Sequence, residues 1–169
     1  MSMTIVEERK AASYVGLAIV FAVVGFIFEF IPVAFWHELG HAVGALLSGR
    51  RIASIGLSEM RYYGDPHAPF VTMMGPIGGV LFPFLIVKIL AKRDKLWPLV
   101  AWLSLKPIGH VLFSGALSTH DQAKLIDEIG RGATDAFYAG FFIVGFIVAG
   151  LAIALAVLTI GKQLGISRK

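Results

Sequence analysis

From Ala11 to Ser48 the chain carries no charged residue except Glu29 and Glu38, the latter within Trp36-His37-Glu38-Leu39-Gly40-His41. Built as one helix, that stretch would be about 57 Å long, nearly twice the roughly 30 Å hydrocarbon thickness of a bilayer. It must break or tilt, and Pro32, which removes a backbone donor and crowds the preceding turn, is the natural place. Either a first span ends near Ile31 and a short second helix carries the motif, or one kinked element does both. Composition identifies the solvent: 57% of residues are hydrophobic, 15% are charged and mean hydropathy is +0.78, against about 25% charged in soluble domains. The chain reads as an all-α polytopic membrane protein of four to five transmembrane helices, with 1–169 forming a single domain. Glu7, Glu8, Arg9 and Lys10 precede an apolar run too long for a signal peptide and without a small-residue cleavage site, so a retained helix is expected.

Ser48-Gly49-Arg50-Arg51 ends the motif helix, with Gly49 as its C′ residue. Beyond it, Ile55, Leu57, Met60 and Tyr62 sit at two-residue spacing around Ser58-Glu59, which predicts a small β-hairpin-like element, and Gly64-Asp65-Pro66 reads as a turn. His67 in this loop reads as a surface histidine. Met74-Gly75-Pro76-Ile77-Gly78-Gly79 opens a second apolar segment, to about Ala91, whose small residues let a neighbouring helix approach. After Lys92-Arg93-Asp94-Lys95, a further segment from Leu96 to Leu117 is interrupted by Lys106-Pro107 and carries His110. Pro107 is expected to unwind it locally, with the ionisable groups turned to protein or water. Ser118 or Thr119 caps a short amphipathic helix bearing Ala123, Leu125, Ile126 and Ile129, with Asp121 in its first turn. The last span runs from about Thr134 to Ile160, and the tail from Lys162 to Lys169 is basic.

On a helix, His37 and His41 lie one turn apart on the same face, close enough to bind one metal ion together. Two imidazoles and a carboxylate among aliphatic neighbours are costly unless something pairs with them. Zinc suits imidazole, has no redox chemistry, and with three protein ligands keeps a fourth position for a water. Glu38, beside the first ligand, is placed to take a proton from that water and pass it to a leaving amine. There are no cysteines, so the third ligand must be His, Asp or Glu. Asp121, at a helix start on a membrane boundary, is preferred; His120 and His110 are the alternatives, and Asp127 and Glu128 lie on a more solvent-like stretch. Glu29 is read as a carboxylate at a membrane boundary or kink.

The run from His37 to Val43, then Gly49-Arg50-Arg51-Ile52, a strand-rich loop, and Met74-Gly75-Pro76-Ile77-Gly78 resembles the site-2 protease family of intramembrane zinc metalloproteases. The likeness covers roughly residues 30 to 125. It implies His37 and His41 as zinc ligands, Glu38 as the catalytic base, Gly75-Pro76 at a helix start, an Asp ligand from a later helix, and one zinc ion per chain. It also implies peptide-bond hydrolysis of a transmembrane protein or peptide within or near the bilayer. The family pattern places Asn and Pro before the Asp and Gly after it. Ser118-Thr119-His120-Asp121-Gln122 has neither that Pro nor that Gly, and is more like compact, divergent members with Ser or Thr before the Asp.

Other classes predict other features. A non-catalytic metal-binding relative or adaptor would keep the ligands alone, and the departure around Asp121 is its support. A metal transporter would spread ionisable residues through several spans, where only Glu29, Lys106 and His110 are extra. Two histidines one turn apart on one helix cannot ligate opposite faces of a haem iron. The net charge of +4 comes mainly from basic clusters at the ends of apolar segments, a pattern of membrane topology and not of nucleic-acid binding. A multi-pass protein of the cell membrane is expected.

Overall fold

A computed structural model describes residues 30–163 except 58, 66, 94, 95 and 118, together with Gly16. The expected first span, Glu29, the Ser118 cap and the end of the basic tail lie outside the described residues. The described chain is mostly helical with one small two-stranded sheet.

Helix α1 (Phe30–Leu47) carries the H-E-x-x-H motif and continues through Pro32. Gly49, at φ 73°, ends it as anticipated. Arg50 N–H bonds Ala45 C=O at 2.9 Å and Gly49 N–H bonds Leu46 C=O at 3.0 Å, so the last carbonyls are satisfied by a Schellman turn. Strands β1 (Ile52–Ile55) and β2 (Met60–Tyr62) form the expected hairpin, antiparallel, with Ile55 opposite Met60 and an irregularity between Ile52 and Ser54. The turn closes through Gly56 N–H to Glu59 C=O at 2.7 Å. Arg50 braces the following loop: its guanidinium donates to the carbonyls of Asp65 and His67 and lies over the Tyr62 ring. His67 is exposed, as expected.

Helix α2 (Pro69–Leu90) begins a turn and a half before the anticipated start at Met74. Pro69 occupies the first turn, where a missing N–H costs nothing, and Pro76 lies inside the helix, not at its start. Helices α3 (Trp97–Ser104) and α4 (Lys106–Leu117) are separated at Leu105, so Pro107 falls in a first turn and the expected interruption is present. Lys106 is turned inward with its ammonium 4.4 Å from the centre of the Trp102 ring. The amphipathic helix is α5 (Thr119–Ile129), which buries Leu125 completely. Gly130, at φ 85°, makes the turn into α6 (Arg131–Gln163).

Two of these helices, α2 and α6, are long and apolar enough to cross a membrane. One core cluster joins Val80, Val111, Leu125, Tyr138 and Phe141, tying α2, α4, α5 and α6; a second joins Val87, Val100, Leu103 and Ala156. Glycines set the crossing of α1 and α2. A Cβ at Gly40 would lie 2.1 Å from the Met74 carbonyl oxygen, and one at Gly78 would lie 2.5 Å from the Gly40 Cα. Both backbones must separate if either gains a side chain.

Gly40→Ala should lower the thermal midpoint in detergent, by an overpacking cost of about 1–3 kcal/mol. Gly150, on α6, has nothing within 4 Å of an added Cβ, so Gly150→Ala should be neutral or stabilising by up to about 1 kcal/mol. Melting curves of the two variants side by side check the close crossing.

Candidate metal centre

The H-E-x-x-H turn of α1 faces α2 where α2 has no side chain. A Cβ at Gly75 would lie 2.4 Å from His41 Nε2 and 2.7 Å from His37 Nε2. Gly75 is thus the floor on which both imidazoles rest. Their ring centres are 4.7 Å apart with planes nearly perpendicular, which turns both Nε2 atoms toward one point.

Asp121 reaches that point from the first turn of α5. Its Oδ2 is 2.6 Å from His37 Nε2 and 3.2 Å from His41 Nε2. Burial alone would raise its carboxyl, but the contacts with His37 and His41 outweigh burial and hold it well below the ordinary carboxylate range. Two ligand atoms sharing one zinc in tetrahedral geometry sit about 3.3 Å apart. The His41 to Asp121 pair already has that spacing, and the His37 pair has to open by under about an ångström.

The tautomer of His41 points the same way. Its Nδ1–H donates to the Val71 carbonyl at 2.8 Å. A neutral ring then presents its Nε2 lone pair to the Asp121 oxygen at 3.2 Å, so two lone pairs face each other. A cation between them, a proton or a metal, resolves that conflict. The ligand atoms of His37, Glu38 and His41 lie within 4.8 Å of one another, a grouping able to hold a metal ion.

Glu38 lies beside the hairpin, sharing with Met60 and Tyr62 the wall of one cleft. That cleft, of about 200 Å³, is lined by Glu38, His41, Tyr62, Thr72, His120 and Asp121 among others. Its mouth is polar. Arg61 bonds Glu59 at 2.8 and 3.2 Å and lowers the Glu59 carboxyl, and Lys124 is 3.4 Å from the Tyr62 hydroxyl.

The other candidates do not join this contact. His120 is exposed at the cleft, Asp127 is exposed on α5, and His110 is buried beside His37 with ring centres 5.4 Å apart. Glu128 corrects the expectation of a solvent-like residue: its side chain is 3% exposed. It accepts from Ala68 N–H at 2.8 Å and from the Thr72 hydroxyl at 3.0 Å. It therefore caps α2 from α5, two turns along the face that presents Asp121. The Val71 carbonyl and the Glu128 cap escape sequence reading because both are contacts between distant segments; the seven-residue spacing from Asp121 to Glu128 is the one local trace of the second.

The chain matches no family model, no curated protein and no solved structure.

Glu128→Ala should leave Ala68 N–H and the Thr72 hydroxyl without their acceptor, a cost of about 1–3 kcal/mol. It should also loosen any metal ion held at the centre, by about tenfold in affinity, by releasing the helix that carries Asp121. Glu128→Gln should keep most of both. Chelator competition and melting curves on the two variants check this.

Proposed function

We propose that the chain is an intramembrane zinc metalloprotease, a multi-pass protein of the cell membrane with four to five spans that hydrolyses peptide bonds of membrane-embedded or membrane-adjacent substrates. One observation carries the reading: Asp121 meets the Nε2 atoms of both His37 and His41 while Glu38 stands beside them at a polar cleft. Two imidazoles and one carboxylate on a single point fit zinc better than a redox metal that prefers more ligands or thiolates. The resemblance of the motif and of its following hairpin to site-2 proteases supports the same reading.

When bound, zinc supplies a Lewis acid that polarises the scissile carbonyl and lowers the pKa of a water to about 7. His37, His41 and Asp121 would hold the ion, and the Val71 carbonyl, by accepting from His41 Nδ1–H, leaves the His41 Nε2 as the free ligand atom. Glu38 takes the proton from the attacking water and hands it to the leaving amine. Its carboxylate lies within 4.8 Å of the ligand atoms of His37 and His41. A helical substrate hides its carbonyls in internal hydrogen bonds and must unwind first. The outer edge of β2, whose Met60 and Tyr62 line the cleft, is placed to take an unwound segment as an added strand.

A non-catalytic metal-binding relative would use the same ligands, but it has no use for a carboxylate beside them at the cleft. Elemental analysis of detergent-purified protein should find about one zinc per chain, lost in His37→Ala and weakened in Asp121→Ala. Glu38→Gln should retain zinc and lose peptide hydrolysis by at least about a hundredfold. Zinc-loaded Glu38→Gln protein that cleaves a membrane substrate as fast as wild type would rule the mechanism out.

A further inference from the structure

His110 has no task in the reaction as described, yet its place is unusual. The residue is 3% exposed, and among the described residues neither ring nitrogen has a hydrogen-bond partner. A desolvated imidazole left in that state is expensive, and a leucine or phenylalanine would fill the same volume without the cost.

The fold also makes room for it deliberately. A Cβ at Gly79 would lie 2.2–2.4 Å from His110 Cε1, Nε2 and Nδ1. Gly79 is one helical turn from Gly75, the residue that seats His37 and His41, so α2 presents one continuous trough to three imidazoles. The His110 ring centre is 5.4 Å from that of His37, and Phe141 of α6 closes over it edge-on at 6.3 Å. Asp121, His37 and His41 already converge without it, which leaves His110 one ring away from the ligand set. Glu38 faces the cleft on one side of the centre, and His110 lies on the flank turned toward α6.

We propose that His110 donates a hydrogen bond to the carbonyl oxygen of a substrate held at the His37, His41 and Asp121 centre. That oxygen gains negative charge when the carbonyl is attacked, and a preorganised donor in a dry site stabilises it. The inference rests on the metalloprotease reading and adds to it a residue that touches the reacting atoms.

Acetohydroxamate, a small oxygen-donor anion that binds zinc, serves as the probe. Its affinity for the zinc-loaded full-length chain would be measured by calorimetry in wild type, His110→Gln and His110→Phe, with zinc affinity measured in parallel by chelator competition. Zinc affinity should stay within about threefold of wild type, while acetohydroxamate binding falls at least about tenfold in His110→Phe and by less in His110→Gln. Unchanged probe binding in both variants overturns the proposal. So does a loss of zinc affinity beyond about tenfold, which would make His110 a ligand. If His110→Phe does not fold, as judged by its melting curve, His110→Gln decides alone, with any loss of probe binding at unchanged zinc affinity counting in favour. Wild type that takes up no zinc defeats the metalloprotease reading itself, whereas zinc binding with an indifferent probe defeats only the role of His110.

Discussion

The contact on which the rest depends is the one between the Asp121 carboxylate and the Nε2 atoms of His37 and His41, at 2.6 and 3.2 Å. Among apolar helices, a largely buried carboxylate and two imidazoles are tolerable only when each faces its complement, because burial removes most of the solvent that would otherwise compensate. The surrounding structure reads as the means of delivering these groups. Helix α2 gives up side chains at Gly75 and Gly78 so that α1 can lie against it, and the Gly75 position is filled by the rings themselves. A glycine interface of this kind is a steric requirement before it is a packing preference.

The first turn of α2 is where the two halves of the centre are joined. Ala68 N–H and Thr72 Oγ1 hold Glu128 of α5, and the Val71 carbonyl between them holds His41 of α1. The helix that brings Asp121 and the helix that brings the histidines are thus fixed to the same five residues. Asp121 and Glu128 are two turns apart on one helix, so a shift of α5 that spoiled the ligand contact would also strip the cap from α2.

Much of this was legible locally and some was not. The H-E-x-x-H spacing, the Gly49 stop, the hairpin around Glu59 and the interruption at Lys106-Pro107 all follow from rules acting within a few residues, and the described chain has each of them. The start of α2 is not legible, because Gly75-Pro76 resembles a helix boundary while Pro76 sits inside a helix whose first turn is supplied by Pro69. The Glu128 cap spans 60 residues to Ala68, and no periodicity encodes a partner that far away. On composition, Glu128 belongs to a polar amphipathic helix and looks solvated. Its burial comes from α5 packing against the start of α2, where Ala68 and Thr72 meet the carboxylate.

Dividing the centre among three elements also decides what kind of chemistry it can host. Histidines on α1, a carboxylate on α5 and Glu38 beside the hairpin form a cleft that the long apolar helices enter only at the first turn of α2, through Val71 and Thr72. A site lodged wholly between α2 and α6 would meet only aliphatic and aromatic side chains, as the groove of about 540 Å³ between those helices does. Water cannot persist there without polar partners. Beside Glu38, by contrast, Tyr62, Thr72, His120 and Lys124 line the approach, so water can reach the centre while α2 and α6 keep its other flank dry. A buried cluster of ionisable groups needs such a polar side to stay in contact with solvent, and here α5 and the hairpin supply it through Asp121, Lys124, Met60 and Tyr62.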